Sequence, residues 1–560
     1  MTDQALYGEK KWLEFYETGV VEHLEYQHLV MPEFMDRTVD EFSQKTALIF
    51  QGYKMTYGEL HDAVGRFAAA LKQFGIKKGD SVAILLPNVI PCVVAYYAAL
   101  KVGAIVVMNN PLYSDRELEH QFNDSDSKVL ITLDLLAHRM VKLREKTTIK
   151  EIVYTSIGDY LPFAKRLLFP LVAKKRGLAA DVTPAKNLFK FKDLLASHAP
   201  DHTMAELSFS DTAMYQYTGG TTGVSKGVIL THANLSCQVQ QLEAWFPDFQ
   251  RGEEIMLGAL PFFHVFGMSV SMNLAIYLGW ANVLVPKPQP EPLLETISRF
   301  KPTFAPLVPT MYIGILNRPD FAQSDLTSIK ACFSGSAPLP LEVINKFQEH
   351  TGSIIVEGYG LTETTPVTHV NPFHGKRKPG SIGLPITDVE CRIVDMKTGE
   401  TDLAPGESGE LLIRGPQVMK EYLNCPDETQ KVLTSDGWLH TGDVAKMDEE
   451  GYFYIVDRIK DMVLSGGYNV YPREIEEVLY QHPDVLEASC VGIPHETRGE
   501  SIKAFLILKE GAQLTQKEVI DFCKGKLATY KLPVAVEIRD VLPKSTVGKI
   551  LKKDLKGNEK

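Results

Sequence analysis

Between residues 40 and 133 the apolar positions fall alternately into helical and strand patterns. Thr56-Tyr57-Gly58-Glu59 forms a capping box, and Leu60, Val64, Phe67 and Leu71 follow at the spacing of a helix with one buried face. Gly75 and Gly79-Asp80 break the chain before residues 81–86, whose unbroken apolar run fits a strand buried on both sides. The most apolar stretch, 89–108, is interrupted by Pro91, Lys101 and Gly103. It reads as a helix ending at Gly103 and a strand over 104–108 rather than as a membrane span. Strand, helix, strand in this rhythm predicts a parallel sheet covered by helices, and the rhythm returns from 211 to 355.

After Pro385 the pattern changes to short alternating strands, 389–394 and 409–413, separated by Gly, Pro and Asp turns. From Asp457 a compact unit follows. A helix opens with Pro472 and carries Ile475, Val478 and Leu479; a strand over 502–508 and a helix over 516–527 come next. The expected fold class is α/β. A large N-terminal domain, 1–457, holds two doubly wound α/β subdomains and a small β-rich subdomain at 385–457, and a small α+β C-terminal domain, 458–560, is joined by a short hinge.

Composition narrows the function. A chain of 560 residues, 44% hydrophobic and 23% charged, buries a sizeable core and is neither disordered, collagenous nor a coiled coil. A net charge of −11 argues against nucleic acid as the main partner. The seven cysteines are scattered and never form C-x-x-C, which fits a reducing cytoplasm and offers neither a disulfide framework nor a zinc site. Met1-Thr2-Asp3-Gln4 shows no signal peptide. Residues 161–177 (LPFAKRLLFPLVAKKRG) are apolar and basic in an acidic chain. They read as a surface helix broken by Pro170, with a peripheral membrane patch at the inner face as the alternative if the substrate is a lipid.

The strongest chemical signal is Tyr217-Thr218-Gly219-Gly220-Thr221-Thr222-Gly223-Val224-Ser225-Lys226-Gly227, following a strand over 213–217. Its glycines let backbone N–H groups converge on phosphate oxygens; Thr218, Thr221, Thr222 and Ser225 add hydroxyls and Lys226 a charge. It is not a Walker A loop, because Gly227 follows the lysine. A second segment, Glu357-Gly358-Tyr359-Gly360-Leu361-Thr362-Glu363, follows an apolar strand over 353–356. Tyr359 can lie against a planar base, and Thr362 and Glu363 supply oxygens of the kind Mg²⁺ prefers. Asp443 behind a Thr-Gly turn suits a ribose diol, and Arg458 can reach the diol or a phosphate. Ser465-Gly466-Gly467 and the lysine-bearing Pro543-Lys544-Ser545-Thr546-Val547-Gly548-Lys549 complete the set.

In this order and spacing the segments resemble the adenylate-forming superfamily, most closely the bacterial long-chain fatty-acid–CoA ligases, over residues 41–552. The resemblance implies ATP-dependent activation of a long-chain fatty acid to acyl-CoA through an acyl-adenylate, with ATP, Mg²⁺ and coenzyme A as reactants. It implies that residues 218–226 cradle the β- and γ-phosphates, that Gly335, Ser336, Ala337 and Tyr359 wall the adenine pocket with Gly360 also among the nucleotide-binding residues, and that Thr362 contacts the α-phosphate. Glu363 and Thr222 would hold the magnesium, and Asp443 and Arg458 the ribose. Lys460 would be the hinge about which a mobile C-terminal domain turns, and Lys549 the lysine bridging the carboxylate and α-phosphate oxygens. Gly466 and Gly467 would then face the pantetheine arm, and His264 the acyl carboxylate.

Gly360 stands where ligases of very short acids carry a plugging tryptophan, so an open tunnel lined by Phe266, Met268 and Met272 is implied. A gating tryptophan of some long-chain relatives is replaced here by Met268, which keeps medium-chain acids open. The family's acetylation of its catalytic lysine is compatible with the Pro543–Lys549 pattern. A CoA ligase for medium-chain or aryl acids is the nearest alternative; a kinase, separated by its ADP product, and a silent nucleotide-binding scaffold are more distant. A homodimer stays open.

Overall fold

The computed structural model describes residues 5–8, 10–173, 177–218, 225–545 and 548–556. Local signals set the early elements as expected. Thr56 Oγ1 accepts from the Glu59 N–H at 3.2 Å while the Glu59 carboxylate accepts from the Thr56 N–H at 2.8 Å, and the helix Tyr57–Gln73 runs from this cap. Every residue of the next helix, Ile90–Lys101, is buried, because protein covers it on all sides. Its one cation, Lys101, is paired with both oxygens of Asp36 at 2.7 and 2.9 Å. Among the described residues no helix is long and apolar enough to cross a membrane.

Two large sheets form the body. Among the described residues one has eight strands, in the order Glu421–Tyr422, Gly227–Thr231, Thr212–Tyr217, Ile105–Met108, Ser81–Leu85, Ser127–Leu133, Glu151–Thr155 and Leu188–Lys190. The last six run parallel, as expected, and the first two are antiparallel additions. The other sheet has nine, with a parallel centre of Ile354–Gly360, Ala331–Ser334, Phe304–Leu307, Ile255–Gly258 and Ala281–Leu284. A four-stranded antiparallel sheet, Glu390–Val394, Gly409–Arg414, Leu439–Met447 and Phe453–Arg458, realises the β-rich subdomain. Its inward residues Cys391, Ile393, Leu411 and Ile413 join the main core.

The smaller C-terminal domain keeps a core of its own. Val463, Ile475, Leu479, Ala488, Ile502 and Leu506 pack between the helix Pro472–Tyr480 and a mostly antiparallel sheet led by Val485–His495 and Gly499–Leu508. A second small cluster, Val491, Phe505, Leu542 and Leu555, ties the chain's tail to the other face of that sheet. Separate cores are what allow one domain to turn against another without unfolding.

Three expectations need correction. The helix expected over 516–527 stops at Cys523, since Lys524 turns extended and Gly525 sits at φ 77°. The segment expected to break at Pro170 forms one helix, Phe163–Ala173, through that proline. The strand expected to end at 356 continues to Gly360, so the Glu357–Gly360 motif lies in a strand rather than in a turn.

Candidate active site

The glycine-rich loop closes a β-hairpin between Thr212–Tyr217 and Gly227–Thr231, with Tyr217 opposite Gly227 and the Thr218 N–H donating to the Lys226 carbonyl at 3.0 Å. Gly219, Gly220, Thr221, Thr222 and Gly223 lie outside the described residues. Ser225 is held from a neighbouring helix: His120 Nε2 donates to its carbonyl at 2.9 Å and the Gln121 amide to its hydroxyl at 3.3 Å. Lys226 Nζ is 3.0 Å from Glu428 Oε2 and 4.5 Å from the centre of the Tyr422 ring.

The second motif runs along the strand Ile354–Gly360 of the other, nine-stranded sheet. A side chain on Gly358 would put its Cβ 2.2 Å from the Phe333 ring, and one on Gly360 would put it 1.7 Å from the Pro366 carbonyl oxygen. Gly360 therefore admits no side chain in this backbone. Tyr359 donates its hydroxyl to Asp443 Oδ2 at 2.6 Å. Thr362–Thr364 forms a short 3₁₀ turn, where Glu363 Oε1 accepts from the Tyr422 hydroxyl at 2.6 Å. Gly335 follows the adjacent strand Ala331–Ser334, and an added Cβ there would lie 3.0 Å from the Phe266 ring; Ser336 beside it takes φ 72°, and Ala337 follows.

Charge gathers at the domain joint. Asp443 is 3% exposed and accepts from Arg458 Nε at 3.2 Å. Lys549, from the C-terminal domain, comes close enough to feel both. Burial, and after it the Arg458 guanidinium, pushes its ammonium down to about 7, with Lys460 acting in the same direction. Burial also lowers Lys460, and Arg458 adds to the effect. Burial and the nearby Lys549 push His264 down to about 4. Its Nδ1 accepts from the Phe266 N–H at 3.3 Å, so the neutral ring carries its proton on Nε2 and can donate.

The loop that delivers Lys549 is braced on both sides. Lys544 pairs with Glu487 at 2.5 Å and Lys552 with Glu476 at 3.0 Å, while the Lys549 N–H donates to Ser545 Oγ at 3.2 Å. Gly548, at φ 76°, seats against the helix Pro309–Leu316: a Cβ there would lie 2.4 Å from Thr310 Oγ1. The Gly466–Gly467 turn is not part of this gathering. Nothing lies within 4 Å of where a Cβ would be on either residue, and the Gly466 N–H donates to Arg498 of its own domain.

Phe266, Met268 and Met272 are all buried at a helix that widens into a π-helical stretch, Gly267–Asn273. The Asn273 amide donates to Met268 Sδ at 2.9 Å, and the Ser269 hydroxyl to the Thr365 carbonyl at 2.6 Å, which binds this helix to the second motif. His120, Gln121, Thr310, Tyr422 and Glu428 were not anticipated. Each sits in an ordinary-looking helix, turn or strand, and only pairing across distant segments brings it to the site.

A large α/β body that receives a lysine from a smaller second domain has the architecture of an adenylating enzyme. The chain belongs to the AMP-binding enzyme family: the family model matches residues 35–423, and the AMP-binding enzyme C-terminal domain matches 474–549. It is 44% identical over 550 residues to a long-chain-fatty-acid–CoA ligase of Bacillus subtilis (strain 168), covering 98% of each chain. It is 39% identical over 554 residues to the enzyme of that name in Escherichia coli O157:H7, again over 98% of each. Among solved structures, the anthranilate CoA ligase AuaEII in complex with anthranoyl-AMP matches with a TM-score of 0.84 at 28% identity, over 96% of this chain and 98% of that one. ATP-bound MatB from Rhodopseudomonas palustris matches at 0.80 and 29%, over 95% and 99%.

Two outcomes are expected from this geometry. Gly548→Ala strains a positive φ and crowds Thr310, a cost of about 1–3 kcal/mol. ATP–pyrophosphate exchange should fall about ten- to a hundredfold, while thioester formation from preformed acyl-adenylate stays near wild type; loss of both alike contradicts the seating. With His264 already neutral, the pH profiles of exchange in wild type and His264→Gln should run parallel from about pH 5 to 8. A difference centred near the ordinary histidine value of about 6.5 contradicts a neutral, donating imidazole.

Proposed function

We propose that this chain converts a long-chain fatty acid to acyl-CoA in two steps in one pocket. A carboxylate oxygen attacks the α-phosphorus of ATP; the new O–P bond forms as the bond to pyrophosphate breaks, leaving acyl-adenylate. The thiolate of coenzyme A then attacks the acyl carbon, and AMP leaves as the thioester forms. The observation that carries this reading is the arrival of Lys549 from the second domain beside Arg458, Asp443 and His264. Joining two anions requires positive charge where negative charge accumulates.

In this reading Lys549 meets the carboxylate and α-phosphate oxygens, and the Nε2–H of His264 faces the carboxylate. Asp443 and Arg458 take the ribose, Tyr359 lies against adenine with its hydroxyl tied to Asp443, and Gly335, Ser336 and Ala337 line the base's other edge. Thr218, Ser225 and Lys226, with the loop between them, hold the β- and γ-phosphates. Thr362 contacts the α-phosphate.

Magnesium fits the donors present. Among the described residues no cluster of three His, Cys, Asp or Glu side chains could hold a metal, and Mg²⁺ ordinarily takes only one or two carboxylates beside phosphate and water. Glu363 would be that ligand, with Thr222 a second. When bound, the ion neutralises charge on the phosphates.

The chain would divide at 457/458, and a turn about Lys460 would withdraw Lys549 and bring the open Gly466–Gly467 turn toward the pocket for the pantetheine arm. The substrate class is supported by the names of the relatives at 44% and 39% identity and by a Gly360 that admits no side chain. Lys549→Ala should abolish fatty-acid-dependent ATP–pyrophosphate exchange and spare thioester formation from preformed acyl-adenylate. A screen of acids from short to long chain, read by AMP release, should peak at long chain; a peak at aryl or medium-chain acids overturns that substrate assignment.

A lipid surface as the source of that acid is supported by the helix Phe163–Ala173. Phe163, Leu167 and Leu168 are 75%, 69% and 59% exposed beside exposed Lys165 and Arg166. The sequence from 161 to 177 carries five cations and no acid. Phe169, on the inner side of the helix, would clash with a Cβ on Gly158 and so packs close against it. Changing Phe163, Leu167 and Leu168 to Ser should release the protein from phosphatidylglycerol vesicles in flotation without changing turnover of a freely soluble acid. Unchanged flotation contradicts this surface.

A further inference from the structure

Residues 416–423 form a strap that stitches the two signature motifs together. The Thr365 hydroxyl donates to the Gln417 carbonyl at 2.6 Å and the Met419 N–H to the Glu363 carbonyl at 2.8 Å, on the side of the second motif. On the side of the glycine-rich hairpin, Glu421 and Tyr422 pair with Ile229 and Val228, and the Leu423 N–H donates to the Gly227 carbonyl at 2.7 Å. Tyr422 sits at the end of this strap, 6% exposed, with its own N–H donating to Thr429 Oγ1 at 3.0 Å. Its backbone is thus fixed from both sides, and its side chain faces both motifs at once.

The two ends of that side chain meet different partners. The hydroxyl donates to Glu363 Oε1 at 2.6 Å, and the ring faces Lys226 Nζ at 4.5 Å. The phenol carries the proton of this bond and the Glu363 carboxylate accepts it. With Oε1 engaged, Glu363 presents its other oxygen in a set direction. Lys226 is also paired with Glu428, whose second oxygen accepts from Lys431 at 2.5 Å. The Glu428 side chain is 41% exposed and that of Lys226 31%, so this pairing is weak and a phosphate oxygen can replace it. The buried aromatic face is the lasting constraint on Lys226.

We propose that Tyr422 is a positioning residue that sets the Glu363 carboxylate and the Lys226 ammonium at a fixed separation, so that magnesium and the terminal phosphates of one nucleotide are taken up together. Partners that orient a metal ligand in this way commonly govern 10- to 100-fold in metal affinity. The proposal rests on Glu363 being the magnesium ligand, and the experiment keeps the two apart.

Magnesium is titrated in ATP–pyrophosphate exchange, and ATP binding is measured calorimetrically with Mg²⁺ and with EDTA, in Tyr422→Phe, Tyr422→Leu and Glu363→Gln. Tyr422→Phe keeps the ring and loses the hydroxyl. It should raise the half-saturating Mg²⁺ about 10-fold or more while metal-free ATP binding and the KM for fatty acid stay at wild type. Tyr422→Leu loses the ring as well and should also weaken metal-free ATP binding. If Glu363→Gln leaves the Mg²⁺ titration unmoved, the metal assignment fails and this proposal with it. If Glu363→Gln moves the titration and Tyr422→Phe does not, the positioning role alone is overturned. Equal weakening by Tyr422→Phe of every ligand, metal or none, marks a packing role and overturns it too.

Discussion

Three cations, Arg458, Lys460 and Lys549, meet around a buried carboxylate, Asp443, at the joint between two separately packed domains. Asp443 is shared between Arg458 and the Tyr359 hydroxyl, so it does not balance the group alone. Asp461 adds a second negative charge at a distance. Taking Lys549 out of water into this company is costly, which is why its ammonium falls to about 7. In the proposed function a nucleotide phosphate and an acyl carboxylate bring the missing negative charge. The site is thus built to be incomplete without its anions, and the lysine's welcome depends on what else the pocket holds.

That dependence gives the two-domain layout its purpose. In the proposed function the first step needs a cation at the carboxylate and α-phosphate oxygens, and the second needs space there for the thiol of coenzyme A. A lysine carried by a domain with its own core can arrive and leave as a rigid unit. The ion pairs Lys544–Glu487 and Lys552–Glu476 tie its loop to that same domain. On the large domain the described ends of the glycine-rich loop, Thr218 and Ser225–Lys226, lead into the two paired strands Thr212–Tyr217 and Gly227–Thr231.

Much of this was legible in the chain. The Thr56–Glu59 cap, the buried helix after Val89 and the α/β rhythm follow from spacing alone, because each is fixed by residues a few positions apart. The glycine-rich loop declares itself by dense, unusual composition, whereas Lys549 stands out only through the family resemblance, since a lysine run by itself reads as a solvated face. Tyr422, Glu428, His120 and Thr310 gave no such sign, since each acquires its role from a partner 59 to more than 200 residues away. The second motif looked like a turn because its glycines suggest one. Those at 358 and 360 are instead demanded by close neighbours, the Phe333 ring and the Pro366 carbonyl, that only the folded sheet reveals.

The most direct measurement is the distance between the domains, read by spin labels at positions 346 and 509. These flank the joint: Lys346 bonds Glu342, whose carboxylate feels Lys509. Docking lowers Lys549 from the ordinary lysine range of about 10.4 to about 7, so it releases a proton. Without nucleotide, the docked population should rise as pH climbs from about 7 toward that range; with ATP and acid bound, it should be high and nearly independent of pH. A docked fraction that ignores both pH and bound anions would contradict the account.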